Sequence, residues 1–197
     1  MSSTDHMLSP QHRQLLLQLA RESIRYGARH GRPPALDLQQ LPPPLRERRA
    51  TFVTLQEHGQ LRGCIGSLEA QRPLAEDVIQ NAFAAAFQDP RFPPVTEKEV
   101  DELEIHISVL SPLEEIEFES EQDLLSQIRP GIDGLLLEEG RHRGTFLPAV
   151  WESLPDPLDF LRHLKLKAGL PPDYWSDTIR VYRYTTDVFG TDTAEAE

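Results

Sequence analysis

Apolar residues near the N-terminus follow the spacing of an amphipathic helix. Leu15, Leu16 and Leu19 fall on one face, and mostly polar residues occupy the other. Ser9, which is followed by proline, is a typical residue for the position before the first helical turn. Gly31 is a typical residue for the position after the last turn. The pattern therefore predicts one long helix between these two residues.

Alternating apolar and polar residues predict several strands further along the chain. Apolar residues occupy every second position from 103 to 109, as in a strand with one buried face. Residues 50–69 predict a hairpin that turns at the sequence EHGQ. Residues 133–148 predict a second hairpin, which turns at Glu139-Gly140, and residues 177–190 predict a final strand.

Helices separate these strands without forming regular βαβ units. Pro73 opens a helix with acidic residues in its first turn, where they complement the helix dipole. Shorter helices are predicted over residues 119–131 and 158–169. Five prolines predict an extended, wrapping segment over residues 32–49. This mixture predicts an α+β fold with mostly antiparallel sheet flanked by helices.

Length and composition are those of one globular protein. The 197 residues include 39% hydrophobic and 26% charged residues, which is typical of a folded, water-soluble chain. No apolar run approaches the roughly 20 residues that a transmembrane helix needs, and no secretory signal is visible. We therefore expect a cytoplasmic protein that does not bind membranes. Residues 9–190 are predicted to form a single domain, between a flexible N-terminus over 1–8 and an acidic, flexible tail over 191–197.

Charge and cysteine count argue against several classes of function. A net charge of −12 repels nucleic-acid backbones, so non-specific nucleic-acid binding is not expected. A specific nucleotide or nucleic-acid site stays open, because 17 of the 20 basic residues are arginines, whose planar fork suits phosphates and carboxylates. One cysteine forms no internal disulfide, and no motif typical of a metal or nucleotide site occurs. We therefore predict no metal and no cofactor.

The segment LRGCIG, residues 61–66, holds the single cysteine, Cys64, between Gly63 and Gly66. In one interpretation, the glycines leave the thiol and the main chain open to a ligand or another chain. Arg62 would then project from the same face of a strand as Cys64, and a nearby guanidinium favours the nucleophilic thiolate. In the other interpretation, Cys64 is a small buried residue and the glycines form a β-bulge. Spacing alone leaves both interpretations open.

Two further features bear on this segment. The sequence DPRFPP, residues 89–94, places Arg91 in a loop that its prolines stiffen. Arg91 is therefore either preset to bind an anion or paired locally with Asp89. His106 lies on the polar face of its predicted strand, and it would serve Cys64 as a general base only if the fold brings the two side chains together.

Several segments together resemble the AMMECR domain family. The resemblance rests on LRGCIG, on AAFQDPRFPPV followed by ELEIHISVLSPLEEI, on the stretch from GIDGLLLEE to PPDYW, and on VYRYTTDVF. It extends over roughly residues 11–189, which is nearly the whole chain. The form of the later segments is similar to the bacterial branch of the family, called AmmeMemoRadiSam system protein A.

The resemblance implies an α+β fold with a larger lobe and a smaller packed lobe. Its implied partners are a Memo-like protein, similar to extradiol dioxygenases, and a radical S-adenosylmethionine protein. Many relatives carry a histidine where Asp133 stands, so a role for that histidine does not extend to this chain. No particular reaction follows from the resemblance. The implied site residues are Arg62, Gly63, Cys64, Ile65, Gly66, Asp89, Arg91 and Phe92.

Besides a specific nucleotide or nucleic-acid binder, the sequence is therefore compatible with two functions of other classes. The chain is an accessory binding protein if LRGCIG and DPRFPP form a cleft that docks the Memo-like or the radical enzyme. It is an enzyme or enzyme subunit if Cys64 acts as a nucleophile or redox residue while Arg62 and Arg91 hold a small anionic substrate. The sequence shows no acid–base constellation around Cys64, which favours the accessory binding protein.

Overall fold

The computed structural model describes residues 8–191. The chain divides into two compact units. Residues up to Pro112, together with those from Asp187 onward, form the first unit, and Leu113–Thr186 form the second. Each unit has its own four-stranded sheet with helices around it, which confirms the predicted α+β class. Within the described residues, no helix is long and apolar enough to cross a membrane.

The elements of the first unit are α1 (Pro10–His30), α2 (Pro43–Arg46), β1 (Thr51–Glu57), β2 (Gln60–Gly66), α3 (Leu74–Phe87), a 3-10 helix (Glu97–Glu102), β3 (Glu104–Leu110) and β8 (Thr186–Gly190), with a further 3-10 turn at Leu38–Gln40. Its sheet has the strand order β2-β1-β3-β8, and β1 pairs antiparallel with both of its neighbours. The strand β2 is therefore an edge strand.

The helix α1 begins and ends where the sequence predicts. The Ser9 side chain accepts a hydrogen bond from the main-chain N–H of His12, and Gly31 adopts the left-handed conformation with φ of 71°. Leu15 and Leu19 lie at the margin of the buried face rather than at its centre. The residues that the helix buries are Leu16, Leu17, Ala20, Ser23, Ile24 and Gly27.

The strands β1 and β2 form the predicted hairpin, with an irregularity that matters for the site. His58 and Gly59 in the turn have φ of 53° and 78°, as a tight two-residue hairpin turn requires. Beyond the turn the pairing skips Arg62, so Leu55 faces Gly63. This β-bulge changes which residues of β2 share a face with those of β1.

The two faces of the first sheet differ in environment. Leu55, Ile105 and Ile107 are fully buried on the face that packs against α3, in a core shared with α1. Thr54 and His106 alternate with them and are half-buried on the opposite face. The alternation predicted for residues 103–109 is therefore present, with apolar side chains in the core.

The elements of the second unit are β4 (Glu114–Glu115), α4 (Glu121–Gln127), β5 (Gly134–Glu139), β6 (His142–Phe146), a 3-10 helix (Pro148–Glu152), α5 (Pro157–Lys167) and β7 (Arg180–Tyr184). The strands form an antiparallel sheet with the order β4-β7-β5-β6. The predicted second hairpin is present as β5 and β6. The core of the unit includes Trp151, stacked on Phe160 with ring centroids 3.8 Å apart.

Two predicted segments differ from the structure. The final strand, predicted over 177–190, is two strands, β7 and β8, which belong to different sheets. The proline-rich segment contains a short helix, α2, rather than extended chain alone. Its prolines stand at the helix start, where a missing N–H leaves no hydrogen bond unmade, and Leu45 within it is fully buried.

The two predicted flexible ends lie almost wholly outside the described residues. The structure describes only Leu8 of the first segment and Thr191 of the last. Leu8 is buried in the core, and Thr191 exchanges hydrogen bonds with the main chain of Ile105. These two residues are therefore part of the first unit.

Candidate functional site

Cys64 lies on the edge strand β2 of the first sheet. It faces Thr54 on β1, and Thr54 faces His106 on β3. These three residues, which we call the Cys64 row, lie on one face of the sheet because directly opposed residues share a face. The Cys64 Sγ lies 3.2 Å from the Thr54 Oγ1, and Cys64 is half-buried.

Asp89 joins the loop after α3 to this edge of the sheet. Its Oδ2 accepts a hydrogen bond from the main-chain N–H of Cys64 at 3.0 Å. The same carboxylate accepts two hydrogen bonds from the Arg91 guanidinium, at 3.0 Å from Nε and 2.7 Å from Nη2, and one from the Arg91 main-chain N–H at 3.1 Å. The Asp89 side chain is 2% exposed, whereas that of Arg91 is 55% exposed. The local pair of Asp89 and Arg91 that the sequence allows is thus present, with the aspartate buried and the arginine exposed.

This arrangement fixes the charges beside the thiol. Hydrogen bonds from the Arg91 guanidinium, with help from the main-chain N–H groups of Cys64 and Arg91, hold the pKa of Asp89 far below its ordinary value, although burial acts in the opposite direction. The pair with Asp89 raises the pKa of Arg91, and the nearby Cys64 adds a smaller contribution. An anchored positive charge therefore stands next to Cys64.

Arg62 is directed away from the thiol. Its Nη1 donates to the carbonyl oxygen of Pro93 at 2.8 Å, and its Nε and Nη2 lie 3.4 and 3.3 Å from the Glu99 carboxylate. Its Nε is also 3.8 Å from Glu57. This corrects the expectation that Arg62 is the guanidinium beside Cys64: that place is taken by Arg91. The β-bulge at Arg62 breaks the strict alternation on which the expectation depended.

The two glycines of LRGCIG allow close packing within the first unit. A Cβ at Gly63 would lie 2.1 Å from the carbonyl oxygen of Ala85 in α3, and a Cβ at Gly66 would lie 2.4 Å from the Phe52 ring. Ile65, between Cys64 and Gly66, packs against the core. The chain itself therefore fills the space next to these glycines, whereas the β-bulge of this strand falls at Arg62 and Cys64 is half-buried.

Phe92 supports Arg91. The guanidinium carbon lies 5.3 Å from the centroid of the Phe92 ring, within the range of a cation–π contact. Phe92 is half-buried. Arg91 is therefore held on two sides, by a carboxylate and by an aromatic ring, while more than half of its side chain stays exposed.

His106 shares the Cys64 row without adjoining Cys64. Neighbouring strands are about 4.8 Å apart, so two spacings place the main chains of His106 and Cys64 roughly 10 Å apart. The side chain between them is Thr54, which the sequence analysis did not single out. The fold thus brings the imidazole and the thiol to one face, with a hydroxyl group between them.

Possible metal ligands among the described residues meet at the β1–β2 turn. Glu57, His58 and Glu102 each offer one ligand atom, and these atoms all lie within 4.8 Å of one another. Burial, together with the nearby carboxylates of Glu99 and Glu102, raises the pKa of Glu57. No local motif revealed this group, because Glu102 is distant from the other two in sequence.

An open cavity of about 610 Å³ lies along α1, away from the predicted site residues. Its lining includes Gln14, Arg21 and Arg25 of the helix and Thr191. Both arginines are engaged: Arg21 donates to main-chain carbonyl groups and Arg25 to Asp101. No member of the Cys64 row contributes to this lining.

These features define an α+β protein in which a cysteine on a sheet edge and an exposed arginine of a neighbouring loop share one buried aspartate. The chain belongs to the AMMECR1 family, whose sequence model matches residues 17–189. A protein of Methanothermobacter thermautotrophicus is 43% identical over 183 residues, which cover 90% of this chain and 93% of that protein. One of Thermococcus onnurineus is 43% identical over 190 residues, covering 89% and 88%.

The fold is also that of a solved structure. The crystal structure of uncharacterized protein PH0010 from Pyrococcus horikoshii is 38% identical in sequence and matches with a TM-score of 0.82 over 89% of each chain. The predicted family and fold are thereby confirmed. The relatives named here are archaeal, so the resemblance to the bacterial branch stays a prediction.

Asp133 has a structural role in the second unit. It is fully buried and accepts hydrogen bonds from Arg129, at 3.0 Å from the main-chain N–H and 2.7 Å from Nη2. The Arg129 side chain is 47% exposed. The pair repeats the arrangement of Asp89 and Arg91, with a buried aspartate that holds an exposed arginine.

Proposed function

We propose that this protein is an accessory binding component that recognises an anionic group of a partner protein with Arg91, beside Cys64 on the edge of β2. The partners we propose are the Memo-like protein and the radical S-adenosylmethionine protein that the family resemblance implies. The observation that carries the proposal is the anchoring of an exposed Arg91 by the buried Asp89.

The geometry of Arg91 suits recognition of a carboxylate or phosphate. Asp89 engages Nε and Nη2, so Nη1 and the second hydrogen of Nη2 are available on the exposed side for another bidentate contact. The carboxylate and the Phe92 ring hold the guanidinium in place before binding. Preorganisation of this kind reduces the entropy lost on association, which strengthens binding.

The surroundings of the thiol favour binding over catalysis. The Sγ of Cys64 makes a polar contact with the side chain of Thr54, whose hydroxyl is not a base at neutral pH. Acid–base catalysis needs a titratable group within hydrogen-bond reach of the reacting atoms, and His106 lies beyond Thr54. The arginine-based nucleic-acid site is also disfavoured, because the net charge of −12 repels a phosphate backbone.

A second candidate function is that of an enzyme or enzyme subunit that uses Cys64 on a small anionic substrate. It is supported by the position of Arg91, whose exposed guanidinium shares the Asp89 carboxylate with the Cys64 main chain and is placed to hold an anionic substrate. The two functions differ in what the thiol contributes. A binding surface tolerates Cys64→Ala, whereas an enzyme with a cysteine nucleophile does not.

Substituting Arg91 by alanine is expected to weaken partner binding at least about tenfold, because arginine is enriched among interface hot spots, whose truncation costs about 2 kcal/mol or more. The measurement is the dissociation constant of the purified Memo-like protein, and separately of the radical enzyme, on the immobilised chain. Arg129→Ala is the matched control, since it removes a similarly exposed arginine from a similarly buried aspartate.

Unchanged binding by Arg91→Ala would contradict the proposal. Equal losses in Arg91→Ala and Arg129→Ala would also contradict it, because they would point to a general effect on the fold. Full binding by Cys64→Ala, together with the loss in Arg91→Ala, would show that partner recognition depends on the guanidinium and not on the thiol.

A further inference from the structure

The tip of the β1–β2 hairpin brings an imidazole and two carboxylates together. Nε2 of His58 lies 4.0 Å from Oε1 of Glu57 and 3.8 Å from Oε2 of Glu102. In a tetrahedral zinc site with bonds of about 2.0–2.1 Å, the ligand atoms are roughly 3.3 Å apart. The three side chains therefore need to close by about 1 Å or less on average to share one ion.

The fold, rather than a chance side-chain conformation, creates this juxtaposition. Gln56 pairs with Glu104 in the antiparallel ladder of β1 and β3. Glu102 ends the 3-10 helix two positions before Glu104, so the chain enters β3 beside the turn that carries His58. The tight turn fixes His58 directly after Glu57, with a left-handed backbone. Two adjacent main-chain segments thus present the three ligands.

The imidazole distinguishes this group from an ordinary acidic surface. Carboxylates alone suit calcium and magnesium, whereas a histidine nitrogen is the commonest ligand of transition metals in proteins. The side chains of His58 and Glu102 are 78% and 58% exposed, so both have room to turn towards an ion from solvent. Glu57 is 19% exposed and supplies the more fixed ligand.

We propose that Glu57, His58 and Glu102 form a binding site for a divalent transition-metal ion of the zinc type, with water completing the coordination. This site binds a cation, whereas the partner-binding surface at Arg91 binds an anionic group. Glu57 also lies 3.8 Å from the Nε of Arg62, so one side chain links the metal site to the LRGCIG segment.

The test is a calorimetric titration of Zn²⁺ into the full chain carrying Cys64→Ala, which removes the thiol as a competing ligand. We expect one equivalent of zinc to bind, and we expect His58→Asn to weaken that binding at least about tenfold. Asparagine tolerates the left-handed backbone, so the turn is retained. Glu102→Gln should cause a similar loss. The control is His163→Asn, which removes an exposed histidine of α5 and should leave zinc binding unchanged.

Equal zinc affinity in the His58→Asn variant and its parent would overturn the proposal. A loss of the same size in His163→Asn would overturn it too, because it would show non-specific binding to surface histidines. Melting curves of all variants without zinc establish that each is folded. Zinc binding does not require a partner protein, so its failure leaves the proposed function untouched.

Discussion

Replacing Gly63 by alanine is expected to lower the free energy of unfolding by about 3 kcal/mol, at the upper end of the usual effect of overpacking. The added Cβ would lie 2.1 Å from the carbonyl oxygen of Ala85, which is a main-chain atom of α3 and not a flexible side chain. The helix must therefore move away from the sheet. In a chain of this size, such a loss corresponds to a melting temperature lower by roughly 6–12 °C.

Urea unfolding of both proteins measures the effect, with Gly140→Asn as the control. Gly140 has φ of 59° in the second hairpin, and a Cβ there would meet no atom within 4 Å. Asparagine tolerates this backbone conformation, so we expect a change below about 1 kcal/mol. If Gly63→Ala were as stable as Gly140→Asn, close packing of α3 on β2 would not explain the glycine.

The second large effect is expected from Asp89→Asn, which keeps the size of the side chain and removes its charge. At pH 7 the variant should be less stable by about 3 kcal/mol, because a buried carboxylate that accepts four hydrogen bonds, two of them from a guanidinium, loses its charge. The amide also turns an N–H group towards donors of Cys64 or Arg91.

The difference between the two proteins should depend on pH in a defined direction. In the folded chain the pKa of Asp89 lies far below the ordinary aspartate value of about 3.9, so its contribution to stability is fully present above that pH and is lost as the pH falls further. The stability difference between wild type and Asp89→Asn should therefore shrink below about pH 4, where the unfolded wild-type chain takes up a proton on Asp89 while the folded chain still holds the carboxylate ionised.

Urea midpoints at a series of pH values measure this dependence for as long as the chain stays folded. Asp101→Asn is the control, because the Asp101 side chain is 82% exposed and its pair with Arg25 contributes little. A difference between wild type and Asp89→Asn that stayed constant from neutral to acid pH would show that the charge of Asp89 is not what stabilises the loop.

The features that local sequence determines could be predicted. Ser9 and Gly31 mark the ends of α1, because capping involves residues only a few positions apart. The strand over residues 103–109 follows from its alternation. The pairing of Asp89 with Arg91 joins residues two positions apart, so it was one of two interpretations that the sequence allowed.

The composition of the Cys64 row could not be predicted, because it depends on one irregular residue. Counting the register from the EHGQ turn without a bulge would place Thr54 opposite Gly63 and Val53 opposite Cys64. The bulge at Arg62 shifts the pairing by one position and places Thr54 next to the thiol instead. A β-bulge was one interpretation of LRGCIG, but sequence spacing does not say where it falls.

Contacts between segments that are distant in sequence could not be predicted either. The hydrogen bond from the Cys64 main chain to Asp89 spans 25 positions, and it depends on how α3 packs across the sheet. For the same reason, Arg91 rather than Arg62 is the guanidinium beside the thiol. The final predicted strand was divided between two sheets because tertiary pairing, and not local propensity, decides where each half lies.

The labelling rate of Cys64 tests most directly the claim that the thiol and Arg91 belong to one partner-binding surface. Cys64 is the only cysteine of the chain, so a small alkylating reagent reports on it alone. The rate is measured on the wild type and on Arg91→Ala, each with and without a saturating amount of the Memo-like protein or the radical enzyme. Our account predicts that the free wild type is labelled in the native state and that at least one partner slows the labelling several-fold, whereas neither protects Arg91→Ala. Labelling of the wild type at an unchanged rate in the presence of both partners would contradict it.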